Sequence, residues 1–344
     1  LPTEPGGLAR AMSELSFGLA AVLARFGRPD VIVLVSPALL STATALLKSR
    51  LGRRRPVVVW VQDLYSLGLR ELGRKSPGLA DRAVVAIERW TLRTADAVVV
   101  IHERFKDTVV EQTGLDPAAV TVVRNWSHLE DQVAVDRTQS RRALGWGPDD
   151  YVVLHAGNMG VKQGLENVIE AARLAADGKS AVRFVLLGDG NQRAYLLEAS
   201  MGVSAIEMIG SLPDEEFRQA LASADALLVN ERAGVSGMAV PSKLTSYFSS
   251  GLPVIAATDP GSVTESEMLL ADAGPVVPAG DPQALLAAAE DLATDPARAS
   301  RFGENGRRFR ARRLTPAVSF GTFTQLLQEL AANRGSSTRK SEDA

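Results

Sequence analysis

The sequence predicts an α/β protein built as two successive parallel-sheet domains, and three observations predict it. Short runs of Val, Ile and Leu recur at Val31–Val35, Val57–Val61, Ala97–Ile101 and Val120–Val123, and again at Val152–His155, Phe184–Leu187, Ile206–Ile209, Ala226–Val229, Val254–Ala256 and Pro275–Val277. Continuous apolar runs of this length suit strands covered on both faces. Amphipathic stretches such as Leu165–Ala176 and Pro282–Leu292 separate them, and strand–helix–strand alternation at this spacing means βαβ units. Finally, 344 residues, of which 46% are hydrophobic and 23% charged, hold enough apolar material for two cores.

Residues 8–27 read as one amphipathic helix, and nothing before Val31 reads as a strand. Val31–Val35 is apolar on both faces, as a central strand would be, and such a strand left on an edge invites aggregation. The expectation is a first domain at 1–135 that is incomplete, with Val31–Val35 on the edge of a four-stranded sheet and earlier strands missing. The boundary falls near 125–144, where NWSHLEDQVAVDRTQSRR is polar and lacks a period. A second domain follows at 136–316 with six strands. A helix at 317–333 is expected to cross back onto the first domain, and the polar tail at 334–344 to be disordered.

Composition excludes several classes. Thirty-eight basic residues against 40 acidic give a net charge of −2, so no global field draws the chain to nucleic acid. The absence of cysteine rules out disulfides, thiolate metal sites and a cysteine nucleophile. No apolar run approaches the ~20 residues of a membrane span, and LPTEPGG at 1–7 lacks the basic start of a secretory leader. The expected location is the cytoplasm, at the inner face of the membrane. The basic run Lys48–Arg55 is a candidate contact with anionic lipid, although short charge runs usually face water.

Ligands of open parallel sheets bind outside the carboxyl ends of the strands. After Val152–His155 comes Gly157-Asn158-Met159-Gly160-Val161-Lys162-Gln163-Gly164, leading into a helix near Leu165. Glycines admit a close ligand, and helix amides beside Lys162 suit an anion; a plain turn fits equally well. After Phe184–Leu187 comes Gly188-Asp189-Gly190, whose Asp189 suits a base or ribose; a simple tight turn fits equally well. Pro241-Ser242-Lys243-Leu244 opens a helix that Gly251 closes. A lysine in a first helical turn opposes the helix dipole. A bound diphosphate would reverse that penalty.

At these residues the chain resembles the two-domain GT-B retaining glycosyltransferases of the family-4 type, in particular the subgroup building bacterial surface polysaccharides, with its fucosamine transferases of colanic-acid-like and capsule clusters. GNMGVKQGLENVIEAA at 157–172, FVLLGDGNQ at 184–192, IGSLP at 209–213 and PSKLTSYFSSGLPVIA at 241–256 carry the likeness, with WVQDLYSLG at 60–68, ADAVVVI at 95–101 and VVRNW at 122–126 in the first half. The resemblance implies two Rossmann-like domains facing a cleft, a sugar nucleotide bound mainly by the second, and no metal. It places Lys162 as a diphosphate ligand. Asn158 stands where many members carry Arg. Two glutamates eight residues apart would fall at Met238 and Ser246, so the PSK segment takes their place. Glu231 is a candidate to supply a carboxylate, with a solvated loop residue as the commoner reading. Asp63 matches an acceptor-side polar residue that orients or deprotonates the acceptor hydroxyl, or else is a simple helix cap.

The expected reaction moves an N-acetylated hexose from a UDP-sugar to a lipid-linked or polysaccharide acceptor with retention. Lys162, Lys243 and helix amides would stabilise the leaving diphosphate. A UDP-sugar epimerase of the same fold, or a non-catalytic nucleotide-sugar-binding fragment, are the competing readings. His102, His128 and His155 lack metal-ligand spacing. His155 reads as a packed or surface histidine, with a donor contact as the alternative.

Overall fold

A computed structural model of the chain describes residues 7–25, 27–36, 38–51, 55–67, 78–126, 135–234 and 242–342. It divides into two compact units, Leu1–Arg124 with Ala317–Ala344, and Asn125–Pro316.

The first unit runs α1 (Gly7–Leu23), β1 (Ile32–Ser36), α2 (Leu39–Leu51), β2 (Val57–Val61), α3 (Leu79–Thr94), β3 (Ala97–Val100), α4 (Glu103–Thr113) and β4 (Val120–Val122). Its strands lie in the order β1-β2-β3-β4, all parallel. Strands β2 and β3 are almost wholly buried, which explains their unbroken valine runs. Edge strand β1 differs. Its burial alternates, leaving Val33 37% and Val35 48% exposed, so one face of a strand that reads as apolar on both meets solvent. The basic run that begins in the last turn of α2 is partly consumed inside the unit: Arg50 pairs with Asp96 at 2.8 Å, and Lys48 Nζ donates to the carbonyl of Ala21 at 3.1 Å. Residues 52–54 of that run lie outside the described residues.

The second unit runs α5 (Arg137–Ala143), β5 (Tyr151–Ala156), α6 (Glu166–Asp177), β6 (Val182–Leu187), α7 (Arg193–Ala199), β7 (Ile206–Ile209), α8 (Asp214–Ser223), β8 (Ala226–Asn230), α9 (Ser242–Ser250), β9 (Val254–Thr258), α10 (Val263–Ala271), β10 (Val276–Pro278), α11 (Pro282–Thr294) and α12 (Pro296–Arg313). Its six parallel strands are ordered β10-β9-β8-β5-β6-β7. The chain thus builds outward from β5 to one edge, returns, and builds outward from β8 to the other. Helices cover both faces, so two separate apolar clusters flank the sheet, one around Leu154, Tyr247 and Phe248 and one around Val153, Phe184 and Ile169. Asp225 ties the start of the unit to its sheet by accepting from Arg141 Nη1 and the Val152 N–H at 2.9 and 2.8 Å.

The last helix, α13 (Pro316–Glu342), packs on the first unit. Phe323, Leu326, Leu327 and Leu330 lie against Val58, Val99, Val123 and Trp60, with the Trp60 and Phe323 rings 5.2 Å apart. Ser319 Oγ donates to the Arg124 carbonyl at 2.8 Å. The helix runs on to Glu342. Once a helix is nucleated, each further residue adds a hydrogen bond at little cost, so polar sequence prolongs it.

Among the described residues no helix is long and apolar enough to cross a membrane.

Candidate functional site

The strand order reverses between β5 and β8, and the crevice outside the carboxyl ends of two such strands is where open α/β sheets receive ligands. Its floor is backbone. Gly157 and Gly188 follow β5 and β6 with φ of 125° and 136°, and a Cβ on Gly188 would stand 2.1 Å from the Gly157 carbonyl oxygen. No residue with a side chain adopts this arrangement without strain. The two loops are stitched together: the Gly157 N–H donates to the Leu187 carbonyl and the Met159 N–H to the Asp189 carbonyl, each at 2.8 Å.

Over this floor lies the first turn of α9. Tyr247, fully buried, fixes the helix by accepting from the Ala156 N–H at 2.8 Å and donating to the Ala156 carbonyl at 3.1 Å. One turn earlier on the same helix face, Lys243 reaches the end of β5. Its Cε passes 3.6 Å from where a Gly157 side chain would begin. Its Nζ lies 2.9 Å from His155 Nε2.

This lysine is held against its preference. Burial pulls its pKa down to about 8, with Glu231 acting in the opposite direction. It also sits at a helix N-terminus whose first turn has no acidic residue, where a cation is disfavoured. His155 is completely buried, and burial followed by the Lys243 charge holds its pKa well below the usual histidine range. The ring is therefore neutral and receives the ammonium's hydrogen bond.

Glu231, just past β8, is not a solvated loop residue. Thr264 Oγ1 donates to its carboxylate at 2.5 Å, and Thr258 donates to the other oxygen. Desolvation raises its pKa, the two threonines lowering it in part. Polar packing also holds the loop before α6. Asn230 donates to the carbonyls of Gln163 and Gly164 at 2.7 and 2.9 Å and accepts from Asn167 at 2.9 Å.

The structure sorts the sequence candidates. Lys243, Gly157, Gly188 and Gly190 share the crevice mouth. Asn158, Lys162 and Asp189 are exposed there, and Asp189 accepts from the Gly190 N–H at 2.7 Å. Gln163 caps the turn by accepting from the Gly160 N–H at 2.9 Å. Two candidates point elsewhere. Met159 and Leu244 bury their side chains in the core, and the Met159 N–H is already spent on Asp189. At the start of α6, the Gly164, Asn167 and Val168 N–H groups donate to carbonyls within the turn. Pro241 and Met238 lie outside the described residues, as does the side chain of Ser242. Asp63, in the first unit, is exposed just after β2, and its carbonyl accepts from Ser36 Oγ at 3.4 Å. His102 caps α4 by accepting from the Arg104 N–H at 3.1 Å, and His128 lies outside the described residues. His155, Tyr247, Asn230 and Glu231 are the site residues that sequence reasoning undervalued.

Comparison with solved structures sets the class. The chain superposes on Anabaena HepE in complex with UDP with a TM-score of 0.70 at 16% identity, over 94% of this chain and 82% of that one. On the sucrose-phosphate synthase of Thermosynechococcus elongatus the TM-score is 0.72 at 18% identity, over 97% and 81%. The fold is GT-B, with two parallel-sheet α/β domains.

The family follows from the sequence. The profile of Glycosyl transferases group 1 matches residues 136–309, half of the chain, and that of the Glycosyl transferase 4-like domain matches residues 1–126. The chain belongs to the group 1 glycosyl transferases. WcaI of Escherichia coli, named for colanic acid biosynthesis, is 28% identical over 261 residues, or 73% of this chain and 64% of its own length. WbjE of Pseudomonas aeruginosa, named as a glycosyltransferase, is 28% identical over 81% of this chain and 70% of its own. The chain thus spans less than two thirds of WcaI.

Proposed function

We propose that this glycosyltransferase moves an N-acetylated hexose from a UDP-sugar to a lipid-linked or polysaccharide acceptor in cell-surface glycan synthesis, with retention of anomeric configuration. The observation that carries the reading is Lys243, a lysine desolvated at a helix N-terminus over a glycine floor. A diphosphate placed there supplies the missing counter-charge. Departure of the nucleoside diphosphate builds negative charge on its β-phosphate, and preorganised cations lower that barrier. Lys243 takes this role, assisted by Lys162 from the loop after β5. Gly157, Gly188 and Gly190 admit the phosphates, and Asp189 contacts the nucleoside. Asp63 receives the acceptor hydroxyl's proton or orients that hydroxyl. The reaction runs without a metal, at the cytoplasmic face of a membrane.

Two HepE structures, in complex with UDP and with UDP and glucose, support the nucleotide class. The names of WcaI and WbjE support the transferase activity, and that of WcaI a surface-polysaccharide setting. The test incubates the purified chain with a panel of UDP-sugars and polyprenyl-linked glycan acceptors, in EDTA, and analyses the products. An α-linked N-acetylhexosamine on the acceptor, with UDP released, is the expected result. Epimerised sugar nucleotide without transfer, or donor bound and recovered unchanged, would refute it.

A further inference from the structure

The ammonium of Lys243 and the imidazole of His155 meet across 88 positions of sequence, and their geometry dictates who donates. An ammonium has only donors. Nε2 of His155, 2.9 Å away, must therefore present its lone pair, and the ring proton sits on Nδ1. A lysine on a long flexible stem ordinarily spreads its charge over many rotamers. Here one of its three donors is fixed inward on a ring with no freedom to move, since β5 and the core enclose it completely. The other two remain available toward the crevice.

We propose that His155 is a positioning residue for the donor diphosphate: by accepting one Lys243 N–H it orients the ammonium so that its remaining donors face the phosphate oxygens. The inference rests on the reading of Lys243 as the diphosphate ligand. His155 touches no substrate and transfers no proton; it acts through the lysine alone.

The arrangement has a pH signature. Lys243 is faced by His155 from β5 and by Glu231 from the end of β8, and Glu231 is in turn faced by Asp259 from the end of β9. Taking away the imidazole acceptor removes a hydrogen bond that favours the charged amine. Lys243 then loses its proton at lower pH, and UDP binding fails earlier on the alkaline side.

Isothermal titration with UDP between pH 6 and 9.5 reads this on the full chain. His155→Leu fills the same space without an acceptor. We expect about tenfold weaker UDP binding at pH 7, the loss of one charge-assisted hydrogen bond, with the alkaline decline moved to lower pH. His155→Gln, which restores an acceptor, recovers most of both. In a Lys243→Met background, His155→Leu causes no further loss. An unchanged affinity and pH midpoint in His155→Leu, or an equal loss whether or not Lys243 is present, overturns the proposal.

Should His155→Leu not fold, the unmodified protein still decides. The chain has three histidines, so 15N-histidine NMR isolates each ring. His155 in the Nδ1–H tautomer, its Nε2 signal shifting in Lys243→Met, supports the proposal; an Nε2–H tautomer overturns it. Failure of the functional reading looks different, because Lys243→Ala would then leave UDP binding unaltered.

Discussion

The Tyr247 hydroxyl grips both backbone groups of Ala156, accepting from the N–H at 2.8 Å and donating to the carbonyl at 3.1 Å. This clamp joins α9 to the end of β5 and sets where Lys243 falls. Tyr247→Phe leaves a buried N–H without its partner, at a cost of about 1–3 kcal/mol. For a unit of this size the melting temperature should fall by roughly 3–8 °C. Calorimetry measures the loss, and UDP titration should show weaker binding with the fold intact. Unchanged stability would mean that the clamp is redundant.

Lys243→Ala should weaken UDP binding roughly 10- to 150-fold, the range for one charged hydrogen bond lost from a desolvated site. Lys162→Ala, from an exposed position, should lose less. Salt should weaken the parent more than the Lys243 variant, because screening acts on the charge that the variant lacks. Titrations at two ionic strengths check all three orderings.

The same lysine should make the empty protein less stable. Its pKa is about 8 in the fold and about 10.4 in an unfolded chain. Below pH 8 both states are charged, and the folded one carries the full desolvation penalty. Between about pH 8 and 10.4 the unfolded chain holds a proton that the folded one has released, so stability from this group rises with pH. Lys243→Met should therefore be more stable than the parent by on the order of 2–3 kcal/mol at pH 7. That advantage should vanish as pH passes 10. Urea denaturation at pH 7, 8, 9 and 10 tests the slope, and a pH-independent difference would contradict it.

Asn230 is buried and makes three side-chain hydrogen bonds, to Gln163, Gly164 and Asn167. Asn230→Ala should cost about 2–4 kcal/mol, since each stranded buried partner carries its own penalty. Amide exchange should then quicken at residues 160–165. Protection equal to the parent's would show that the loop is held by other means.

Edge strand β1 offers a different handle. Val35 is 48% exposed on an otherwise apolar edge, and lysine on an edge discourages strand-to-strand association. Val35→Lys should change stability by less than about 0.5 kcal/mol while raising the concentration at which light scattering first detects aggregates. Aggregation at the parent's concentration would count against the edge as its cause.

The ten strands among the described residues could be read from the sequence as unbroken apolar runs, which the strands sandwiched between helices require on both faces. Lys243 was legible too, as a charge at the wrong end of a helix. The polar framework beneath it was not. His155 closes an apolar run and looks like packing, and its partner lies 88 positions away. Glu231 gains its burial from Thr258 and Thr264, residues with no local pattern linking them to it. For Met159 and Leu244 the fold adds what spacing could not. Motif spacing placed them beside the ligand, but only the fold shows their side chains turning into the core.

Helix α13 closes a loop of 195 positions when Ser319 meets Arg124, and this has a consequence for the order of events at the ribosome. Domains generally fold as they emerge, at about 5–20 residues per second. The four described strands of the first unit have all been made once β4 emerges, yet the face around Trp60 and Val58 waits for Phe323, Leu326, Leu327 and Leu330. On the order of 10–40 seconds of translation separate the two. Throughout that interval the nascent chain carries an uncovered apolar sheet face while the whole second unit is being built. Folding of the N-terminal unit is thereby tied to completion of the C-terminus, and a polypeptide released before α13 would keep that face open to chaperones and to aggregation.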